Sequence, residues 1–119
     1  MPKDDTILVV EDEDQARTFL TEILNFEGFK ALGFANGAEA LDYLRTSAAP
    51  CLIVLDILMP VMDGRQFRAA MLQQPRFAEI PVVVVTALDS STADDLKAVR
   101  VLRKPLDIGA LLNVVRANC

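Results

Sequence analysis

The apolar run Leu52–Leu55, closed by a single carboxylate at Asp56, constrains the fold of this chain more than any other stretch. An uninterrupted run of β-prone apolar residues is typical of a strand that is covered on both faces, as in a parallel sheet. Asp56 then lies at the carboxyl end of that strand, and open α/β sheets bind their ligands at that edge. The sequence therefore predicts a functional site centred on this aspartate.

Length and charge limit the protein classes to which the chain can belong. Its 119 residues are the size of one ordinary domain, so we predict a single domain over residues 1–119. No apolar run approaches the ~20 residues that a membrane-spanning helix needs, and we expect no membrane insertion. The formal net charge of −5 argues against direct nucleic-acid binding, which requires a basic surface.

Cysteine and histidine usage narrows the chemistry further. The two cysteines, Cys51 and Cys119, are too few for a disulfide framework, and the first residues contain no apolar signal region. We therefore expect a cytoplasmic protein. The chain has no histidine, which excludes a histidine phosphocarrier, a histidine-ligated metal site and a serine–histidine catalytic pair.

Short apolar runs alternate with segments of helical periodicity along the whole chain. Asn36 and Asp107 have the chemistry of helix caps, whereas Pro75 and Pro81 are expected to close the third helix. The alternation predicts an α/β domain with a five-stranded parallel sheet and helices on both faces. We expect strands at Ile7–Val10, Phe29–Phe34, Leu52–Leu55, Ile80–Val85 and Val101–Leu102, with helices at Ala16–Leu24, Asn36–Thr46, Phe67–Met71, Ser91–Val99 and Asp107–Val115.

Polar side chains follow four of the predicted strands. Right-handed crossovers place all carboxyl ends of the strands along one edge, which would collect Glu11, Asp12, Asp56, Thr86 and Lys104. Three carboxylates without histidine or a thiolate cluster suit a hard cation, and magnesium prefers such oxygen ligands. Each residue alone also has a structural explanation, because helix dipoles favour acids after strands and threonine often serves as a cap.

The same edge could accept a phosphoryl group. With magnesium bound and Lys104 nearby, Asp56 is placed to act as a nucleophile and to form an acyl phosphate. The Thr86 hydroxyl and the Ala87 backbone N–H could hold the remaining phosphoryl oxygens. Catalysis would then depend on positioning and charge neutralisation.

These motifs together resemble the receiver domain of two-component response regulators, over nearly the whole chain. The matching pieces are Ile7–Glu13, Asp56–Pro60 with Asp63-Gly64, Val85–Ala87 and Lys104-Pro105, with 44 residues from Asp12 to Asp56 and 30 from Asp56 to Thr86. The resemblance implies a flavodoxin-like fold with strand order 2-1-3-4-5. It also implies that the Lys104-Pro105 peptide is often cis, which proline permits.

The resemblance also implies a mechanism and partners. Asp56 is the phospho-acceptor, and a sensor histidine kinase or a histidine phosphotransfer protein supplies the phosphoryl group. The domain catalyses only its own phosphorylation and dephosphorylation, and switches the binding of a downstream protein target. Magnesium is held by Glu11, Asp12, Asp56 and the Leu58 backbone carbonyl, while Lys104, Thr86 and the Ala87 N–H contact the phosphoryl group.

Two features depart from the family pattern. Val101 occupies the position where an aromatic ring usually turns inward, and the stretch between Thr86 and Lys104 is shorter than is usual. We therefore expect a short or irregular fourth helix and a readout that orders residues 88–99. Because Leu58 and Leu88 cannot orient a hydrolytic water, we expect a long-lived phosphoryl group.

Three other functions compete with this one. A receiver fold that acts as an interaction module without phosphorylation is the first alternative, favoured by Val101. A magnesium-dependent aspartyl phosphatase usually has a second acid two residues after its nucleophile, where this chain has Leu58. Nucleotide or flavin binding is disfavoured because the acidic residues 11–14 would repel phosphate.

Overall fold

The computed structural model describes residues 5–56, 63–86 and 97–119. Within these ranges strands and helices alternate, except that two helices follow β3 and none is described between β4 and β5. The strands are β1 (Thr6–Val10), β2 (Lys30–Phe34), β3 (Leu52–Asp56), β4 (Val82–Thr86) and β5 (Arg100–Arg103). The helices are α1 (Asp14–Phe26), α2 (Gly37–Thr46), α3 (Gly64–Leu72), α4 (Pro75–Ala78) and α5 (Ile108–Asn118).

All five strands pair in parallel, in the order β2-β1-β3-β4-β5. The predicted fold class and strand order are therefore confirmed. Val10 pairs with Leu55 and Asp56 pairs with Val85, so β1, β3 and β4 end at nearly the same level. This register brings the residues after β1, at the end of β3 and at the end of β4 to one edge.

The sheet separates two hydrophobic clusters because successive side chains of a strand point to opposite faces. Ile7 and Val9 belong to the cluster that α1 and α5 cover. Leu8 and Val10 belong to the cluster that α2, α3 and α4 cover. Both faces of the central strands are thus buried, as their uninterrupted apolar sequences predict.

Helix caps explain where several helices begin. The Asn36 side chain accepts a hydrogen bond from the Glu39 N–H at 3.0 Å, and Asp107 accepts one from the Ala110 N–H at 3.2 Å. Both predicted caps are confirmed. Asp63, which belongs to one of the matching motifs, forms a capping box with Gln66 and so begins α3.

One predicted helix boundary is confirmed and one helix prediction is wrong. The third helix ends before Pro75, as predicted, but Pro75 also begins the short helix α4, which was not predicted; proline suits the first turn because it needs no N–H donor there. Val99 does not lie on a helix, since it directly precedes β5 and its N–H donates to the Val82 carbonyl at 2.8 Å. The rest of the predicted helix, through residue 96, falls outside the described residues.

Cys51 and Cys119 form a disulfide with a Cα–Cα distance of 5.4 Å. The bond joins the residue that precedes β3 to the residue that follows α5. One bond is not a framework, but the pairing itself was not predicted, because a separation of 68 residues does not reveal proximity. Over the described parts of the chain, none of the helices has the length and apolar character needed to cross a membrane.

Candidate functional site

The carboxyl edge of the sheet positions four of the predicted site residues around Asp56. Glu11 follows β1, Thr86 ends β4 and Lys104 follows β5. Glu11, Asp56 and Thr86 are buried, with exposed fractions of 3%, 6% and 0%, whereas Asp12 is exposed. Buried polar residues at a strand edge need partners, and the geometry supplies them.

Lys104 is the positive charge of the site. Its Nζ donates a hydrogen bond to Glu11 Oε1 at 3.0 Å and lies 3.6 Å from Asp56 Oδ2. The lysine is held at this edge because its backbone N–H donates to the Thr86 carbonyl at 2.9 Å. The Lys104-Pro105 peptide is cis, as the resemblance implies. One ammonium group thus bridges two carboxylates that lie at the ends of two different strands.

Three carboxylates converge beside this lysine. Oxygen atoms of Glu11, Asp12 and Asp56 all lie within 4.8 Å of one another. One divalent cation could contact all three, and carboxylate oxygens are the ligands that magnesium prefers. The residues present therefore fit a magnesium ion. The fourth predicted ligand, the Leu58 carbonyl, lies outside the described residues, as does the Ala87 N–H.

Glu11 and Asp12 both have a pKa that is raised above its usual value. Burial raises the pKa of Glu11 and the hydrogen bond to Asp56 raises it further, while Lys104 partly opposes both effects. Burial and the neighbouring Glu11 also raise the pKa of Asp12. Burial acts to lower the pKa of Lys104, but the hydrogen bond to Glu11 and the charges of Asp56 and Glu11 raise it overall. The site therefore favours additional positive charge.

An apolar groove of about 340 Å³ lies next to the site, between α1 and the Pro105-Leu106 segment. Phe19 lines this groove and is 53% exposed. Glu11 and Lys104 line it as well, so the groove is continuous with the charged residues. The helical spacing of α1 did not reveal this exposed ring, since the same spacing is typical of core residues.

Arg17 is a residue of this region that the sequence analysis missed. Its Nη1 donates a hydrogen bond to the Glu11 backbone carbonyl at 2.9 Å. The spacing of Asp14 and Arg17 could have indicated an ion pair on α1, which the structure contains. A contact with a backbone carbonyl of the preceding loop has no signature in the sequence.

Comparison with known proteins agrees with this geometry. The family model for the response regulator receiver domain matches residues 7–116. The chain belongs to this family. The receiver domain is 36% identical to "Response regulator Rre1" of Synechocystis sp. over 117 residues, which cover 93% of this chain and 50% of that protein. The chain thus spans about half the length of that curated relative.

Two further relatives match over most of their length. "Sporulation initiation phosphotransferase F" of Bacillus subtilis is 34% identical over 114 residues, covering 92% of the receiver domain and 90% of that protein. The crystal structure of a response regulator receiver protein from Pseudomonas putida superposes with a TM-score of 0.88 at 29% identity, covering 98% of both chains. The predicted resemblance to the receiver family is therefore confirmed.

Proposed function

We propose that this receiver domain accepts a phosphoryl group on Asp56 from a phosphohistidine of a partner protein, in a magnesium-dependent reaction. The observation that carries the proposal is the convergence of the three carboxylates within 4.8 Å, with Lys104 Nζ 3.6 Å from Asp56. A buried carboxylate with an ammonium group beside it, among residues that could hold a divalent cation, offers the charges that phosphoryl transfer requires.

The step transfers a phosphoryl group from a histidine nitrogen of the partner to a carboxylate oxygen of Asp56. A carboxylate oxygen of Asp56 attacks the phosphorus, the P–N bond breaks, and the partner's imidazole leaves with the electron pair and takes up a proton from solvent. Glu11, Asp12 and Asp56 would hold magnesium. The ion would reduce the repulsion between the Asp56 carboxylate and the dianionic phosphoryl group. The product is an acyl phosphate on Asp56.

Lys104 changes partners in this scheme. It now bridges Glu11 and Asp56, and it would pair with a phosphoryl oxygen once Asp56 is modified. The Thr86 hydroxyl and the Ala87 N–H are the proposed donors to the other phosphoryl oxygens. Beyond its own phosphorylation and dephosphorylation, we propose no turnover of another substrate.

The proposed partners are a sensor histidine kinase or a histidine phosphotransfer protein, and a downstream protein that responds to the modified state. Phe19 and the groove beside the site offer the donor an apolar contact next to the nucleophile. The proposed location is the cytoplasm, with acidic composition arguing against direct nucleic-acid binding. Disulfides are uncommon in the cytoplasm. Whether Cys51 and Cys119 are oxidised or reduced there can be measured by thiol labelling.

Labelling by a small phosphodonor tests the chemistry. We expect acetyl phosphate with magnesium to add one phosphoryl group to the protein, detected by intact mass, and chelation by EDTA to prevent it. Asp56→Asn should abolish the addition, whereas the matched control Asp42→Asn, on an exposed helix position, should retain it. Absence of labelling in the wild type, or labelling that persists in Asp56→Asn, would overturn the proposal.

A further inference from the structure

Arg17 contacts two residues of the acidic loop that links β1 to α1, and the first residue of α1. Its Nη1 donates to the Glu11 carbonyl at 2.9 Å and to the Asp12 carbonyl at 3.4 Å, and its Nη2 pairs with the Asp14 carboxylate. The Arg17 side chain is only 21% exposed. One guanidinium thus holds the backbone of both residues that supply the first two carboxylates of the site.

A backbone hydrogen bond to the sheet also fixes the loop between β1 and α1. The Glu11 N–H donates to the Phe34 carbonyl at 3.0 Å, which extends the β1–β2 ladder by one residue. On its other side, Glu11 Oε2 accepts a bond of 3.3 Å from the Glu13 N–H. Arg17 supplies the contacts to the backbone carbonyl oxygens of Glu11 and Asp12. The guanidinium suits this role because its planar fork offers several donors in fixed directions.

Gly33 on β2 makes room for the aliphatic part of Arg17. A Cβ atom at residue 33 would lie 2.8 Å from Arg17 Cγ and 3.0 Å from Arg17 Cδ. Both atoms belong to a side chain and not to the backbone, so we expect a methyl group at residue 33 to displace the stem of Arg17. The absence of a side chain at residue 33 therefore allows Arg17 to reach the loop.

We propose that Arg17, whose stem packs against Gly33, is a positioning residue for the magnesium site. It fixes the backbone of Glu11 and Asp12 so that their carboxylates converge before the ion binds. It contacts neither the ion nor the phosphoryl group, and acts only through the loop. The inference rests on the proposed function, because it concerns the metal on which that function depends.

Magnesium affinity, measured by titration calorimetry on the unphosphorylated protein, is the primary test. Arg17→Met removes the guanidinium and keeps the stem, and Gly33→Ala displaces the stem while keeping every polar group. We expect both to weaken magnesium binding by about tenfold, the scale observed for outer partners of metal ligands. Arg17→Lys, which keeps the charge without the fork, should recover part of the loss.

Arg45→Met is the matched control. Arg45 also pairs with an aspartate three residues earlier, Asp42, at 2.9 Å, but that pair lies exposed on α2. The magnesium affinity of Arg45→Met should equal that of the wild type. The far-ultraviolet circular dichroism spectra of all variants should agree. A role limited to helix stability would lower thermal stability in Arg17→Met and Arg45→Met alike, with the magnesium affinity unchanged in both.

The outcomes separate the two proposals. Unchanged magnesium affinity in both Arg17→Met and Gly33→Ala would overturn the positioning role while the labelling of Asp56 stands. If Arg17→Met fails to fold, Gly33→Ala decides alone, because it retains the arginine. A wild-type protein that binds no magnesium and is not labelled would overturn the proposed function together with this inference.

Discussion

Reduction of the Cys51–Cys119 disulfide tests how far this fold depends on a covalent link. The bond closes a loop between residues 68 positions apart. In the chain-entropy account, a cross-link over such a span restricts the unfolded chain and stabilises the native state by roughly 4 kcal/mol at 25 °C. A domain of this size has a total free energy of unfolding of about 5–15 kcal/mol, so the loss would be a large fraction of it.

Urea unfolding followed by circular dichroism, with and without a phosphine reductant, measures the loss. With a slope of about 2 kcal/mol per molar urea, the midpoint should fall by roughly 2 M on reduction. Cys119→Ser should match the reduced wild type and should not respond to reductant. A shift below about 0.3 M in the wild type, or an equal response in Cys119→Ser, would refute the reasoning.

Three further perturbations test the core and the site. Thr6 Oγ1 is buried and has no hydrogen-bond partner among the described residues, so Thr6→Val should raise the free energy of unfolding by about 1 kcal/mol; a decrease would show that the hydroxyl is satisfied. Phe67 is fully buried, and Phe67→Ala should cost about 3–5 kcal/mol in urea unfolding, far more than at the exposed Phe26. Because burial raises the pKa of Glu11 in the native state, the folded protein binds that proton more tightly than the unfolded chain. In EDTA, the Glu11 contribution to stability should therefore fall as the pH rises from 4.5 through the raised pKa, and Glu11→Gln should lack this component; identical pH profiles for the two proteins would contradict it.

The parts of the fold that depend on local chemistry could be predicted from the sequence. Leu52–Leu55 and Val82–Val85 contain only apolar residues, which identifies buried parallel strands without knowledge of their neighbours. Asn36 and Asp107 have the side chains that cap helices. Once the strands are parallel, topology alone brings Glu11 and Lys104 to one edge, although 93 residues separate them.

The contacts that the sequence did not reveal are those between side chains and distant backbone. The packing of the Arg17 stem against Gly33 depends on the register of β2 against β1 and on the direction of α1. Neither property leaves a pattern along the sequence. The pairing of Cys51 with Cys119 depends on α5 ending next to the residue that precedes β3. Val99 was misplaced because an apolar residue before a short strand fits a helix face equally well.

The disulfide also divides the residues of the candidate site between a covalently closed ring, residues 51–119, and the open segment that precedes it. Residues 51–119 form a covalently closed segment that carries Asp56, Thr86 and Lys104, whereas Glu11 and Asp12 lie on the open segment before it. A single backbone cut between residues 52 and 118 would leave one molecule under non-reducing conditions. A cut between residues 12 and 51 would instead separate Glu11 and Asp12 covalently from Asp56. Under oxidising conditions Asp56 and Lys104 therefore stay covalently connected after a single cut in the ring, whereas Glu11 and Asp12 stay attached only through the unbroken chain that precedes Cys51.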